Sequence, residues 1–165
     1  MPGFSCEPDR TEMINSFPRA DRPCLVMRSL VVEDARVSQL ILAKILSTYG
    51  ECQMASSGYD ALQAFNRAFV ERQPFDLICL DLGLPDFDGV EVLAEIRAVE
   101  QARGVPPARR VHVIAVTASS DMDAVHALAE MGDGYVLKPI NREKLIQILV
   151  RLGLIPPGSH PETGS

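Results

Sequence analysis

The sequence predicts an α/β protein with a doubly wound, five-stranded parallel sheet covered by helices on both faces. Two observations predict this class. Five short, mostly apolar runs alternate with five longer segments whose apolar residues recur at helical spacing. The run from Leu77 to Leu80 is continuously apolar, which is typical of a strand buried on both faces. Because crossovers between parallel strands are right-handed, the alternation favours a doubly wound sheet.

The predicted strands are short and rich in apolar and β-branched residues. They are placed at 30–32, 52–55, 76–80, 111–116 and 135–137, and the second is the weakest. A loop with one glycine and two prolines, residues 102–110, precedes the fourth strand.

The predicted helices span 35–49, 57–71, 88–101, 120–131 and 141–152. The first has four apolar residues on one face: Val37, Leu40, Ile41 and Ile45. Gly50 is predicted to end that helix. Asp88 with Glu91 three residues later forms a capping box for the third helix. Ser120 is predicted to cap the fourth helix.

The chain is predicted to hold one domain, because 165 residues with 47% apolar content suit a single core. The domain is placed at 25–153. Residues 1–24 are polar and without periodicity, so we expect a disordered extension. Residues 154–165 are rich in Pro, Gly and Ser and are expected to form a flexible tail or linker.

Composition excludes several classes of function. A net charge of −6 without dense Lys/Arg runs argues against direct nucleic-acid binding. No apolar segment is long enough to cross a bilayer, so membrane insertion is not expected. The cysteines form neither a Cys-x-x-Cys pair nor a zinc pattern, which favours a reducing, cytoplasmic location. They are Cys6, Cys24, Cys52 and Cys79.

Polar side chains follow four of the five predicted strands. Glu33 and Asp34 follow the first strand, and Asp81 follows the third. Thr117 follows the fourth strand and Lys138 the fifth. In a parallel α/β sheet the carboxyl ends of the strands lie at one edge, where ligands bind. These side chains are therefore expected to converge at that edge.

This set of side chains favours phosphoryl chemistry with Mg²⁺. Three carboxylates in close proximity repel one another unless a cation lies between them. Mg²⁺ prefers oxygen ligands, and it is commonly bound through one or two carboxylates plus phosphate oxygens. An aspartate can act as a nucleophile and form an aspartyl phosphate. Lys138 could balance the charge of that product, and the Thr117 hydroxyl could donate a hydrogen bond to it.

Four segments resemble the signatures of the response-regulator receiver family, in the family's order. They are Val31-Val32-Glu33-Asp34, Leu80-Asp81-Leu82-Gly83-Leu84-Pro85-Asp86-Phe87-Asp88-Gly89, Val116-Thr117-Ala118 and Leu137-Lys138-Pro139. The resemblance covers about residues 27–153 and is greatest to single-domain regulators of the chemotaxis type. It implies a flavodoxin-like sheet with strand order 2-1-3-4-5.

The resemblance also implies roles at the metal. Asp81 matches the phosphoacceptor. Asp34, Asp81 and the backbone carbonyl of Gly83 match the Mg²⁺ ligands, and Glu33 would act through a metal-bound water. Glu33 stands where Asp is commoner, which keeps the charge and alters the reach. Asp86 is predicted to be a loop residue rather than a ligand.

Three further residues match the family's switch and active-site positions. Thr117 matches the switch hydroxyl, and Tyr135 matches the aromatic that swings between inward and outward positions. Lys138 matches the active-site lysine, and its bond to Pro139 would be cis.

The implied function is a phosphoacceptor in a two-component system or phosphorelay. The donor would be a histidine kinase or a histidine phosphotransfer protein. A downstream protein would bind the face formed by the fourth helix, the fifth strand and the fifth helix. The only activity expected is self-phosphorylation and self-dephosphorylation, so the chain is not predicted to be an enzyme.

Three alternatives remain open. A Mg²⁺-dependent phosphohydrolase would use the same nucleophile, but it needs a second Asp two residues later, where Gly83 stands. A structural module could keep the site and act by constitutive dimerisation. The chain could also be a receiver fragment of a larger hybrid kinase or transcription regulator.

Overall fold

The computed structural model describes residues 26–118 and 122–159, and these form one parallel sheet flanked by helices. The strands are β1 (Met27–Val32), β2 (Gly50–Ala55), β3 (Leu77–Asp81), β4 (His112–Thr117) and β5 (Gly134–Leu137). The helices are α1 (Arg36–Leu46), α2 (Gly58–Val70), α3 (Gly89–Ala102), α4 (Met122–Met131) and α5 (Arg142–Arg151). The strand order β2-β1-β3-β4-β5, with all pairs parallel, confirms the predicted fold.

The sheet separates two apolar cores, as a doubly wound fold requires. Alternate residues of β1 point to opposite faces: Leu30 and Val32 join one core and Val31 joins the other. The first core packs against α2, α3 and α4, and the second against α1 and α5. All five residues of β3 are buried, which confirms that Leu77–Leu80 form a strand covered on both faces.

Helix α1 buries a different face from the predicted one. Its buried residues are Gln39, Leu42, Ile45 and Leu46. Of the four residues assigned to the inner face, only Ile45 is buried, while Val37 is 72% exposed and Leu40 and Ile41 are 46% and 43% exposed. The helix carries two apolar stripes, and the stripe through Leu42 and Ile45 packs on the sheet. The prediction for Val37, Leu40 and Ile41 is therefore wrong.

Several predicted boundaries shift by a few residues. Asp81 and Thr117 are the last residues of their strands rather than the residues after them. Helix α1 ends at Leu46, so Gly50 is not its stop. Gly50 instead opens β2, where a β carbon would overlap the backbone of Met27. The loop at 102–110 contains a short 3₁₀ turn, Pro107–Arg109.

The predicted tail is partly packed against the domain. Ile155 is 5% exposed and belongs to the core shared with α1 and α5. The Tyr49 hydroxyl donates a hydrogen bond to the carbonyl of Ser159 at 2.9 Å. The packed residues thus extend beyond the boundary predicted at 153. The predicted extension at 1–24 and the predicted cap Ser120 lie outside the described residues.

Within the described ranges, none of the helices has the length and apolar character needed to cross a membrane.

Candidate functional site

The four polar strand ends meet at one edge of the sheet, as predicted. Ligand oxygens of Glu33, Asp34 and Asp81 all lie within 4.8 Å of one another. Lys138 follows β5, and its Nζ lies 2.9 Å from Glu33 Oε2 and 3.4 Å from Asp81 Oδ2. The lysine side chain therefore crosses the end of β4 to reach groups that belong to β1 and β3. The peptide bond between Lys138 and Pro139 is cis, as the resemblance implied.

Glu33 is the most deeply buried member of the cluster, with no exposed surface. Its Oε1 accepts a hydrogen bond from the backbone N–H of Ala35 at 3.0 Å. Its Oε2 has Lys138 as a charge partner but no well-aligned hydrogen-bond donor among the described residues. Burial raises the pKa of the Glu33 carboxyl, and the nearby Lys138 ammonium opposes this effect.

Lys138 is held at both its backbone and its ammonium group. Its backbone N–H donates to the carbonyl of Thr117 at 2.7 Å. Burial alone would lower the pKa of the lysine, but its contacts with Glu33 and Asp81 outweigh burial and raise it. The side chain is therefore a fixed positive charge at neutral pH.

Asp81 presents one carboxylate oxygen to each side of the site. Its Oδ1 accepts a hydrogen bond from the Gly83 N–H at 3.0 Å, and its Oδ2 faces Lys138. The residue is 5% exposed. Its neighbour in the cluster, Asp34, is exposed and lies next to the buried Glu33. The nucleophile candidate is thus oriented by the fold, while the adjacent carboxylate faces solvent.

The donor set fits a small, hard divalent cation. Three carboxylates contribute oxygen atoms within one coordination-sized cluster, and one of them includes a buried oxygen without an aligned donor. Lys138 offsets one of the three negative charges. Mg²⁺ would offset the remainder and suits such oxygen ligands. Asp34 and Asp81 could hold it, with Glu33 reaching it through water.

Close packing places the start of α3 against the end of β3, the strand that ends at Asp81. A β carbon at Gly89 would lie 2.7 Å from Leu82 Cα and 2.8 Å from the Asp81 carbonyl oxygen. Only glycine allows this approach without moving the backbone. Asp88 caps α3, and Glu91 completes the capping box, as predicted.

The two predicted switch residues lie on the β4–β5 side of the cluster. Thr117 is 6% exposed at the end of β4, directly beyond Val116, which pairs with Asp81. The Tyr135 side chain is 41% exposed, and Lys144 Nζ lies 5.2 Å from its ring centroid. The aromatic side chain is therefore accessible at the surface of β5.

Sequence reasoning missed Gln39, which binds the backbone of Glu33 and so supports the segment that carries Glu33 and Asp34. The side chain is 2% exposed, and its amide nitrogen donates to the carbonyls of Glu33 and Ala55 at 3.1 and 3.2 Å. Its spacing of three residues before Leu42 places it on the buried stripe. A polar residue at the spacing of the buried stripe was the feature of the sequence that could have indicated this role.

Comparison with known proteins agrees with this geometry. The family model described as response regulator receiver domain matches residues 29–150. A hybrid signal transduction histidine kinase of Dictyostelium discoideum is 35% identical over 132 residues, which cover 78% of this chain and 7% of that protein. The sensor histidine kinase GacS of Pseudomonas protegens is 31% identical over 84% of this chain and 14% of its own length. The chain thus spans a small part of these relatives.

Solved structures show the same fold. The receiver domain of Saccharomyces cerevisiae Ssk1, crystallised with the histidine phosphotransfer protein Ypd1, is 30% identical. It has a TM-score of 0.65, and the match covers 78% of this chain and 89% of that one. The receiver domain of the Arabidopsis thaliana histidine kinase CKI1, in complex with Mg²⁺ and BeF₃⁻, is 27% identical. Its TM-score is also 0.65, with 77% and 89% of the two chains covered. The chain described here therefore belongs to the response regulator receiver domain family.

Proposed function

We propose that this chain is the phosphoacceptor of a two-component system or phosphorelay. Asp81 takes a phosphoryl group from a phosphohistidine in the presence of Mg²⁺, and the modified domain presents an altered protein-binding surface. The observation that carries the proposal is the cluster of Glu33, Asp34 and Asp81 oxygens beside the Lys138 ammonium. The membership in the receiver family and the Mg²⁺–BeF₃⁻ complex of the CKI1 receiver support it.

The chemistry follows from the placement of each group. An Asp81 carboxylate oxygen attacks phosphorus, a new O–P bond forms, and the N–P bond of the donor breaks with its electron pair returning to the imidazole. Lys138, which already faces Asp81 Oδ2 at 3.4 Å, pairs with the transferred group. Thr117 donates its hydroxyl hydrogen to a phosphoryl oxygen. Asp34, Asp81 and the Gly83 carbonyl would hold Mg²⁺, which would supply the remaining positive charge when bound.

Self-modification is the only catalysis that the proposal includes. Hydrolysis of the aspartyl phosphate returns Asp81 and releases phosphate. A phosphohydrolase that turns over free substrates would need a general acid two residues beyond the nucleophile, and Gly83 occupies that position. We therefore expect at most one phosphoryl group per chain at any time.

Incubation with acetyl phosphate tests the proposal. Intact mass spectrometry should show a single phosphoryl adduct in the presence of Mg²⁺ and none after chelation, and p-nitrophenyl phosphate should not be turned over. Rapid turnover of the ester would favour the phosphohydrolase. Absence of any adduct at saturating Mg²⁺ would contradict the proposed function and favour the alternative of a structural module.

The donor is proposed to dock on the exposed apolar stripe of α1, defined by Val37, Leu40 and Ile41. This helix begins two residues after Asp34, so the stripe borders the acidic cluster. Exposed apolar side chains grouped on one helix face are typical of a protein-binding surface. The Ssk1 receiver complex with Ypd1 supports a histidine phosphotransfer protein as the class of donor.

A charged substitution on this stripe should slow phosphorylation by a protein donor without affecting phosphorylation by a small-molecule donor. Val37→Glu should slow phosphotransfer from phosphorylated Ypd1 about tenfold, equivalent to about 1.4 kcal/mol of lost contact energy. Its reaction with acetyl phosphate should not change, because that donor touches no helix surface. The measurement is transfer of ³²P from Ypd1.

Val70→Glu is the matched control, because Val70 is 75% exposed at the far end of α2. Equal slowing of phosphotransfer in both variants would contradict the assignment of the donor-binding surface to α1.

The output surface is proposed to be the face of α4, β5 and α5. A groove of about 580 Å³ lies there, and its lining includes Leu128, Tyr135, Lys144, Ile148 and Arg151. The groove is tied to the site through β5, since Thr117 pairs with Leu137 and holds the Lys138 backbone. Movement of Thr117 toward a phosphoryl group would therefore be transmitted to β5.

A further inference from the structure

The structure assigns a positioning role to Asp86, which clamps the phosphoacceptor loop to the N-terminus of α2. The loop comprises residues 82–88, between β3 and α3. This inference rests on the proposed function in one respect: the loop carries the Gly83 carbonyl, which is proposed as a Mg²⁺ ligand. Asp86 itself lies outside the ligand cluster and is solvent-exposed.

The clamp consists of two hydrogen bonds to consecutive backbone groups. Asp86 Oδ1 accepts from the Gly58 N–H at 2.9 Å, and Oδ2 accepts from the Tyr59 N–H at 3.0 Å. These are the first two residues of α2, whose N–H groups have no partner within the helix. A carboxylate is favoured there by hydrogen bonding to its charged form and by the helix dipole. The same two bonds lower the pKa of Asp86, so it remains ionised at neutral pH.

Ser57 and Asp86 divide the capping of α2 between them. The Ser57 side chain accepts from the Asp60 N–H at 3.1 Å, while its carbonyl accepts from the Ala61 N–H. The helix therefore already has an N-cap from its own segment. Asp86, 28 residues away in sequence, adds a connection between two loops that local capping does not require.

Van der Waals contact reinforces this connection. Gly58 is buried against the loop and against α3: a β carbon there would lie 3.0 Å from Phe87 Cβ and 2.8 Å from Val92 Cγ2. Phe87 follows Asp86 directly, so the same turn of the loop both packs on α2 and accepts its N–H groups. The loop is anchored further by Leu84, which is 9% exposed in the core.

The consequence concerns the geometry of Gly83. Its N–H is bound to Asp81 Oδ1, and its side of the loop is exposed. With the clamp in place, Asp86 and Leu84 hold the residues that follow Gly83 against α2 and the core. The orientation of the Gly83 carbonyl is therefore restricted. Without the clamp, that carbonyl must be ordered when Mg²⁺ binds, which weakens binding. Loss of such supporting contacts typically lowers metal affinity by about 10-fold or more.

Two alanine variants test the clamp. Both Asp86→Ala and Ser57→Ala remove a cap from α2, so both should lower the melting temperature to a similar extent. Only Asp86→Ala should weaken Mg²⁺ binding, by about 10-fold, as measured by calorimetry on the full chain. In the metal-free protein, only Asp86→Ala should speed amide exchange of residues 82–88. Asp86→Glu, which keeps a carboxylate, should restore part of both effects.

The outcomes are distinguishable from failure of the proposed function. If the wild-type chain binds no Mg²⁺, the proposed function fails, yet the amide-exchange comparison still reports on the clamp. Unchanged exchange in Asp86→Ala, or equal loss of Mg²⁺ affinity in both alanine variants, would overturn the inference.

Discussion

Replacing Asp81 with asparagine will abolish the phosphoryl adduct that the proposed function requires the wild-type chain to form with acetyl phosphate and Mg²⁺. The carboxamide lacks the anionic oxygen that attacks phosphorus, so the loss should be complete rather than partial. The fold should persist, because the asparagine oxygen can still accept the Gly83 N–H bond that Asp81 Oδ1 accepts at 3.0 Å. Intact mass spectrometry gives the adduct, and circular dichroism confirms folding.

Asp34→Asn is the matched comparison, since it removes a proposed metal ligand and keeps the proposed nucleophile. Its adduct should be weak at low Mg²⁺ and should recover as Mg²⁺ is raised, whereas Asp81→Asn should show none at any concentration. Asp60→Asn, at an exposed position in the first turn of α2, should behave as the wild type. An adduct that persists in Asp81→Asn would place the nucleophile on another residue.

The convergence of polar side chains at the carboxyl ends of the strands was predictable from two independent rules. Alternating helix and strand periods fix a parallel sheet, and parallel strands bring their carboxyl ends to one edge. Glu33, Asp81 and Lys138 then have to meet, and their contacts at 2.9 and 3.4 Å confirm it. The residue pattern alone did not predict which strands are neighbours in the sheet, because the order 2-1-3-4-5 was implied only by the family resemblance.

Helix α1 shows where periodicity fails. Val37, Leu40 and Ile41 have the spacing of a buried stripe, yet they face solvent, while Gln39 is buried. Both stripes satisfy the helical period, so only the packing of the helix on the sheet distinguishes them. A single sequence carries no information about that rotation when two faces are apolar.

Polar partners far apart in sequence were also inaccessible. Asp86 was predicted to be a loop residue, and it is one, but its partners lie 28 and 27 residues away. Glu100 is 1% exposed and binds Arg97 at 2.8 Å and the Val111 N–H at 2.7 Å. Charged residues on a helix are usually exposed, so sequence alone places Glu100 at the surface. Such pairs require coordinates.

Replacing Lys138 with methionine will destabilise the metal-free protein strongly at neutral pH. The lysine is a cation paired with the fully buried Glu33, and methionine keeps much of its length without its charge. Removing one partner of a buried ion pair leaves the other charge uncompensated, which typically costs about 3 kcal/mol. Urea unfolding followed by circular dichroism in the presence of a chelator measures the change in the free energy of unfolding.

The loss should depend on pH in a defined direction. Burial already raises the pKa of Glu33 above its ordinary value of 4.5, and removal of the ammonium raises it further. The folded variant then binds a proton that the unfolded chain releases, so its stability falls as pH rises through the raised pKa. The gap between wild type and Lys138→Met should therefore widen from pH 5 to pH 7.

Lys44→Met provides the control for this effect, since Lys44 is an exposed lysine in the last turn of α1. Its loss should stay below about 1 kcal/mol and vary little with pH, because an exposed lysine at a helix end contributes only weakly. Mg²⁺ should offset part of the Lys138→Met loss by supplying positive charge beside Glu33 and Asp81. A gap that is the same at pH 5 and pH 7 would mean that Glu33 does not depend on the lysine for its ionisation.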